Sequence, residues 1–299
     1  MIRKAAAFLL CALLLSAIGC AAEGCGYAPL PFDSMEAPYA PREEGWDDSL
    51  MHYQDASITV RAEQVWPGQA AVLLVYVTLS DASQFRTAWA GSVPASREVA
   101  DVREIASACN AVAALNGDYF AYHSEGIVWR NGIEVRMRPV KDRDTLIIDT
   151  NGDFHILAPT TKKGFEEYRG SVLHAFCFGP SLVKDGVTET DFDRIDLDCM
   201  KYKRDQRLAI GQLDTLSYVI AAVDGPAYAS SGGMTIPELA AFMKELGCVN
   251  AYNLDGGNSA CVVLHGIKMN AMNSSKVREV GDIIYFATLC PDEGTEEEQ

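Results

Sequence analysis

Short apolar runs alternate with polar turns bearing glycine or proline along most of the chain, the pattern of a protein built mainly from strands. Ile58–Val65 and Ala71–Leu79 flank Pro67-Gly68, and Ile127–Trp129 and Ile133–Val135 flank Arg130-Asn131-Gly132. Thr145–Ile148 and Phe154–Leu157 flank Asn151-Gly152, Leu208–Leu213 and Ser217–Val223 flank Asp214-Thr215, and Ala260–Leu264 and Ile267–Met269 flank His265-Gly266. Asp282–Leu289 supplies a last strand. Two stretches switch to helical spacing. Ser96 is placed to cap a helix over Arg97–Cys109, with Val99, Val102 and Ala106 on one face. Thr235-Ile236-Pro237-Glu238 has the spacing of a capping box, Ile236, Leu239, Ala240, Met243 and Leu246 follow on one face, and Gly247 stops the helix.

Each predicted helix runs into an apolar strand, Ala111–Leu115 or Val249–Leu254, and each strand ends in a polar turn. The expectation is that two helix–strand units deliver two carboxylates, Asp118 and Asp255, to one end of a sheet. The implied class is α+β, with large mixed, mostly antiparallel β-sheets and helices packed on them. A third carboxylate, Asp224, also ends an apolar strand. The turn after Leu254 is the densest in polar groups. Gly256 and Gly257 admit unusual backbone angles and close approach of a ligand, while Asn253, Asn258 and Ser259 crowd around Asp255.

Composition narrows the function. The 299 residues are 48% hydrophobic, enough for a sizeable core, and no linker interrupts residues 55–290, which predicts one domain there. A net charge of −16 argues against nucleic acid as a partner. It leaves room for a small phosphate-bearing substrate held by one or two arginines. Arg3 and Lys4 precede an apolar stretch, Ala5–Ile18, too short to span a membrane, so residues 1–22 read as an export signal. Ala17-Ile18-Gly19-Cys20 resembles a bacterial lipobox, which would place a lipid anchor on Cys20; the alternative is cleavage near Ala22 and release. Either route puts the mature protein outside the cytoplasm. Residues 23–54 read as a tether and residues 291–299 as a disordered acidic tail. Nine cysteines, with no Cys-x-x-Cys pair, fit neither a zinc site nor a complete disulfide framework.

Eight short elements, taken in order, resemble the phosphodiester glycosidase family. They include Asn116-Gly117-Asp118-Tyr119-Phe120, Phe178-Gly179-Pro180-Ser181-Leu182, Arg207-Leu208-Ala209-Ile210-Gly211, Val223-Asp224-Gly225, Ser231-Gly232-Gly233-Met234-Thr235 and Asn253–Ser259, closed by Arg278. The resemblance spans roughly residues 70–288. It implies an extracytoplasmic hydrolase that cleaves a glycosyl-phosphate diester in a surface or exogenous glycan. Asp255, Asp224 and Asp118 are then the candidate catalytic residues. Arg207, Asn116, Asn253, Gly256, Gly257, Ser259 and Arg278 are the candidate substrate-binding residues.

The chemistry is consistent with that assignment. Glycosidic cleavage passes through an oxocarbenium-like state that a carboxylate supports. A phosphate monoester leaves readily, so binding its oxygens matters more than protonating it, and arginine matches that two-oxygen edge. No cofactor is implied firmly; carboxylates and backbone carbonyls near Asp255 would suit Ca²⁺. No histidine completes a Ser-His-Asp pattern with Ser259, which reads as a hydrogen-bonding residue. Pro226 stands where the family commonly has arginine. That departure leaves a second expectation open, a non-catalytic module binding sugar or phosphate on the same fold.

Overall fold

The computed structural model describes residues 27–291 except 35, 94–95, 196–199, 227–230 and 272–276. The export signal, Cys20 and most of the acidic tail lie outside the described residues.

Three sheets carry the fold. The largest has eight strands. At its centre Arg207–Asp214 lies between Ser217–Val223 and Asn250–Leu254, with Val72–Leu79 beyond Ser217–Val223. Two five-stranded sheets complete the molecule. One contains Gly126–Arg130, Thr145–Asp149 and Val172–Phe176. The other contains Ala113–Asn116, Val262–Leu264 and Asp282–Phe286. The class is α+β and sheet-dominated, and every pairing among the described strands is antiparallel rather than mixed.

Strict alternation along the central strands explains the layering. Leu208 and Ile210 turn toward the main core, which they share with Leu115, Leu146, Ile148, Phe176, Ile284 and Phe286 from the two smaller sheets. Ala209 points the other way, toward Ile236, Leu239, Ala240 and Met243 of the helix Ile236–Glu245. That helix starts as its sequence predicts. Thr235 Oγ1 accepts from Glu238 N, and the Glu238 carboxylate accepts from Thr235 N.

Four expectations are corrected. The first helix runs over Val102–Ala108 and is capped by Asp101, not Ser96. Its predicted first turns are extended because Ala100 forms a β-bridge with Val280. The two helix–strand units also feed different sheets, since Ala113–Asn116 joins a five-stranded sheet and Asn250–Leu254 the eight-stranded one. The described part of the expected tether packs on the domain. Buried Arg86 donates to Pro31 O at 3.1 Å and Ser34 O at 2.9 Å, Asn110 holds Pro38 O, and Tyr39 bridges Thr288. Side chains dock it as well, since Tyr53 is buried in the main core, Trp46 and Met51 pack against that core and Leu30 packs on a second cluster; the segment's prolines, glycines and acidic residues had suggested a tether. Finally, a short helix, Lys162–Glu166, has no counterpart in the periodicity.

A buried ion cluster joins the two five-stranded sheets. Arg130, fully enclosed, donates to Asp118 Oδ1 at 2.7 Å and to Asp282 Oδ2 at 2.6 Å, and also binds the carbonyls of Trp129 and Ala175. Removing the cation strands two carboxylates in a dry interior. Arg130→Leu is expected to lose about 3–5 kcal/mol of unfolding free energy in urea titrations, if the chain folds at all. A midpoint unchanged from wild type would show that the cluster does not hold the sheets together.

Candidate active site

The strand Asn250–Leu254 delivers Asp255 to a cleft of about 410 Å³. Tyr119, His123, Arg143, Phe178, Gln206 and Arg207 line it from other elements, and Asn253, Gly256, Gly257, Asn258 and Arg278 line it alongside Asp255. Register explains the convergence. Leu208 pairs with Leu254, so the start of one central strand and the end of its neighbour open into the same space. The turn stays tight because a side chain at Gly256 would meet Gln206 O at 2.7 Å. Gly257 takes φ +55, its N donates to Gln206 O at 3.0 Å, and its Cα faces open space.

Asp255 is nearly enclosed. Burial pushes its carboxyl up from 3.8 to about 6, against a hydrogen bond from Ser259 and the field of Arg278, while Asp118 adds to the rise. Its Oδ2 has no hydrogen-bond partner and lies 3.9 Å from Arg278 Nη1. Arg278 donates to Ser259 Oγ at 3.3 Å and sits 5.3 Å above the Tyr119 ring. With 41% of its side chain exposed, it presents a cation to the cleft beside the carboxylate. Tyr119 holds the left-handed conformation at φ 68, stacks on Tyr122 at 4.5 Å and meets His123 edge-on. A non-glycine residue in that region costs free energy of order 1–3 kcal/mol, and such residues cluster at functional sites.

Several predicted site residues have other surroundings. Asp118 is not among the cleft's lining; Oδ1 is held by Arg130 and Oδ2 accepts from Cys177 N at 2.8 Å. Asp224 likewise stands off the described lining. Its Oδ1 accepts from Ala271 N at 3.0 Å, and burial raises its pKa. Asn116 clamps the turn from behind, donating to Asp255 O at 2.8 Å and accepting from Cys261 N at 3.0 Å. Ser259 is fully buried under the cleft. Arg207 does line the cleft, but its guanidinium donates to Met234 O, Met200 O and Lys203 O. Those bonds position the 200–204 segment at the cleft's edge while Arg207 itself lines the cleft.

Asn253, Gly256, Gly257 and Arg278 do meet at Asp255. Gln206 and Arg143 were missed because neither stands at a strand-end turn rich in glycine. Among the described residues, no group of three or more His, Cys, Asp or Glu side chains is placed to hold a metal ion. Cys109, Cys177, Cys248, Cys261 and Cys290 are buried free thiols, and burial raises the pKa of the first four.

The family model for phosphodiester glycosidase matches residues 109–287, which include every described residue that lines the cleft. The chain belongs to the phosphodiester glycosidase family. Its fold resembles the catalytic domain of zebrafish N-acetylglucosamine-1-phosphodiester alpha-N-acetylglucosaminidase, solved auto-inhibited by its pro-peptide. The TM-score is 0.61 at 17% identity, over 88% of this chain and 98% of that one. A hypothetical protein from Synechocystis shares the fold with a TM-score of 0.54 at 15% identity, over 77% of this chain and 62% of that one. In sequence, the chain is 34% identical over 124 residues to the SPbeta prophage-derived uncharacterized protein YomE of Bacillus subtilis strain 168. That match covers 41% of this chain and 18% of the prophage protein, so the chain corresponds to less than a fifth of that relative.

The raised Asp255 pKa has a stability consequence. A carboxyl that binds its proton more tightly when folded loses folding stability as pH rises from 3.8 toward 6, and the loss is complete above that window. Asp255→Asn removes the cost of burying the charge. The variant is expected to be more stable than wild type at pH 8, by about 3 kcal/mol, with no gain at pH 3.5. Thermal or urea melts at both pH values measure this. An equal offset at both would show that Asp255 does not titrate as its burial requires.

Proposed function

We propose that this protein is an extracytoplasmic hydrolase that cleaves a glycosyl-phosphate diester, a sugar-1-phosphodiester, in a surface or exogenous glycan. The observation that carries the reading is the pairing of one enclosed carboxylate with one accessible guanidinium across a single cleft. The anomeric carbon needs negative charge beside it, and the departing phosphate needs a cation with two parallel donors. Asp255 meets the first need and Arg278 the second. With a pKa near 6, Asp255 is poised as a base close to neutral pH, able to take a proton from attacking water or to face the oxocarbenium-like carbon directly. The leaving phosphate monoester asks little of an acid, so Asp255 needs no partner as proton donor, although Asp205 also lines the cleft. Tyr119 and Phe178 offer apolar walls against which a sugar ring packs.

Asn116, Ser259 and the Arg130 cluster act behind that pair by holding Asp255 in place. Arg207 acts by fixing the edge of the cleft. Membership of the family and the zebrafish enzyme's printed activity support the substrate class. The N-terminal sequence supports export and a lipid anchor at Cys20, with the membrane as a partner through that lipid.

Steady-state assays on one cleavable sugar-1-phosphodiester test the assignment. Asp255→Asn is expected to reduce turnover by at least about 10³-fold in a folded protein. Arg278→Ala is expected to lower kcat/KM by an amount equivalent to about 2–4 kcal/mol with little change in Tm, and Arg278→Lys to recover only part of it. Arg207→Ala should instead cost mainly stability, since it leaves three carbonyls without their donor. For wild type, kcat/KM should rise with pH through about 6, the ionisation of Asp255. Near-normal turnover in folded Asp255→Asn would remove Asp255 from the chemistry and favour a binding module. Export has its own check: Cys20→Ser should abolish metabolic lipid labelling, and persistence of the label would exclude anchoring at Cys20.

A further inference from the structure

We infer that Gln206, together with Asn253, reads hydrogen-bond donors on the sugar, making Gln206 a specificity-determining residue of this cleft. The inference rests on the cleft binding a glycosyl phosphate. It starts from a pattern of unmet bonds. Among the described residues, the buried side-chain oxygens without a hydrogen-bond partner, Gln206 Oε1, Asn253 Oδ1 and Asp255 Oδ2, all belong to residues that line this one cleft. A buried acceptor left unmet is costly, so three in one place point to a ligand that supplies donors.

The two amides are not free to turn. Gln206 Nε2 donates to Ala271 O at 3.1 Å, and Asn253 Nδ2 donates to Gly179 O at 2.7 Å. Flipping either amide would set its oxygen against a carbonyl and lose that bond. Each oxygen is therefore fixed as an acceptor. Ala271 is itself held, because its N donates to Asp224 Oδ1 and Lys268 Nζ reaches its O at 3.3 Å. This gives Asp224 a positioning role: it fixes the peptide that fixes Gln206.

The chemistry of the ligand follows. Bare phosphate is rich in acceptors and cannot satisfy three acceptor oxygens. A divalent cation could, and Asp205 lines the cleft too, but among the described residues no group of three or more His, Cys, Asp or Glu is placed to hold one, while Arg278, 3.9 Å from Asp255 Oδ2, and Arg143 oppose added positive charge. A neutral sugar carries hydroxyl or amide donors on adjacent carbons and fits beside the cations that take its phosphate. A site built around a hydroxyl rejects the analogue that lacks it far more strongly than an apolar pocket rejects a change of size.

The test separates sugar recognition from hydrolysis by using phosphate-free ligands. Methyl α-glycosides of glucose, galactose, mannose and N-acetylglucosamine, each with its single-position deoxy analogues, are titrated into wild type and Gln206→Leu and followed by NMR. Calcium chloride is titrated in parallel. At least one glycoside should saturate wild type. Deleting one particular hydroxyl, or the acetamido group, should weaken it about tenfold or more. Gln206→Leu should bind the parent sugar as weakly as wild type binds that analogue, with no further loss on the analogue. If the variant does not fold, the deoxy series on wild type decides alone: no position costing more than threefold overturns the inference. So do failure of every glycoside to saturate wild type, unchanged affinity in Gln206→Leu, and saturable calcium binding without sugar binding. Phosphodiester cleavage by a wild type that shows no donor preference would leave the hydrolase reading standing and remove only this one.

Discussion

The structure depends on the enclosure of Arg130 between Asp118 and Asp282. One guanidinium between two carboxylates leaves a net negative charge in a dry interior, an arrangement that is stable only while every donor and acceptor is met. Arg130 meets that condition by also binding two backbone carbonyls. Asp118 meets it by accepting from Cys177 N as well. The turn that follows Ala113–Asn116 is thereby locked, and Asn116 at its start is left to grip Asp255 O and Cys261 N. The eight-stranded sheet and the smaller sheet are joined at the point where the cleft opens. Rigidity behind the site therefore comes from a polar cluster, while the apolar core supplies the bulk of the burial.

That division of labour shapes the chemistry. Asp255 is held by its backbone from one side and by Ser259 from the other, so its carboxylate keeps an unmet oxygen without moving to satisfy it. Low solvation raises its pKa into the range useful for a base at neutral pH, and Arg278 keeps it from rising further. The same enclosure makes the folded protein less stable when Asp255 ionises. A binding surface alone would not require that cost, and function offers a reason for it.

Much of the architecture was legible in the sequence because hairpins are local. Asn131-Gly132 and Gly266 sit in tight turns at positive φ, and the alternation around them fixes which face is buried. The capping box at Thr235 was legible for the same reason. Long-range pairing was not. Nothing local distinguishes Ala113–Asn116 from Asn250–Leu254, so both looked like members of one sheet. Asp118 was read as a site residue because it stands at a strand end, and Arg207 because of its place in a family element. Their partners, Arg130 at one and the carbonyls of Met200, Lys203 and Met234 at the other, become visible only when the chain folds. Gln206 carried no signal, because an amide gains meaning from which of its two atoms is tied. The described part of the segment before residue 55 was misread for a related reason: its prolines, glycines and acidic residues suggested a tether, and the anchoring of Leu30, Trp46, Met51 and Tyr53 on distant strands is not visible locally.

The central claim is that this cleft breaks the bond between the anomeric carbon and the phosphate oxygen. Cleavage of a sugar-1-phosphodiester by wild-type protein in H₂¹⁸O, followed by ³¹P NMR and mass spectrometry of the products, tests it directly. Attack at carbon beside Asp255 predicts ¹⁸O in the released sugar and none in the phosphate monoester. Label in the phosphate would show attack at phosphorus, and absence of cleavage across the substrate panel would show that the cleft binds without reacting; either result contradicts the account.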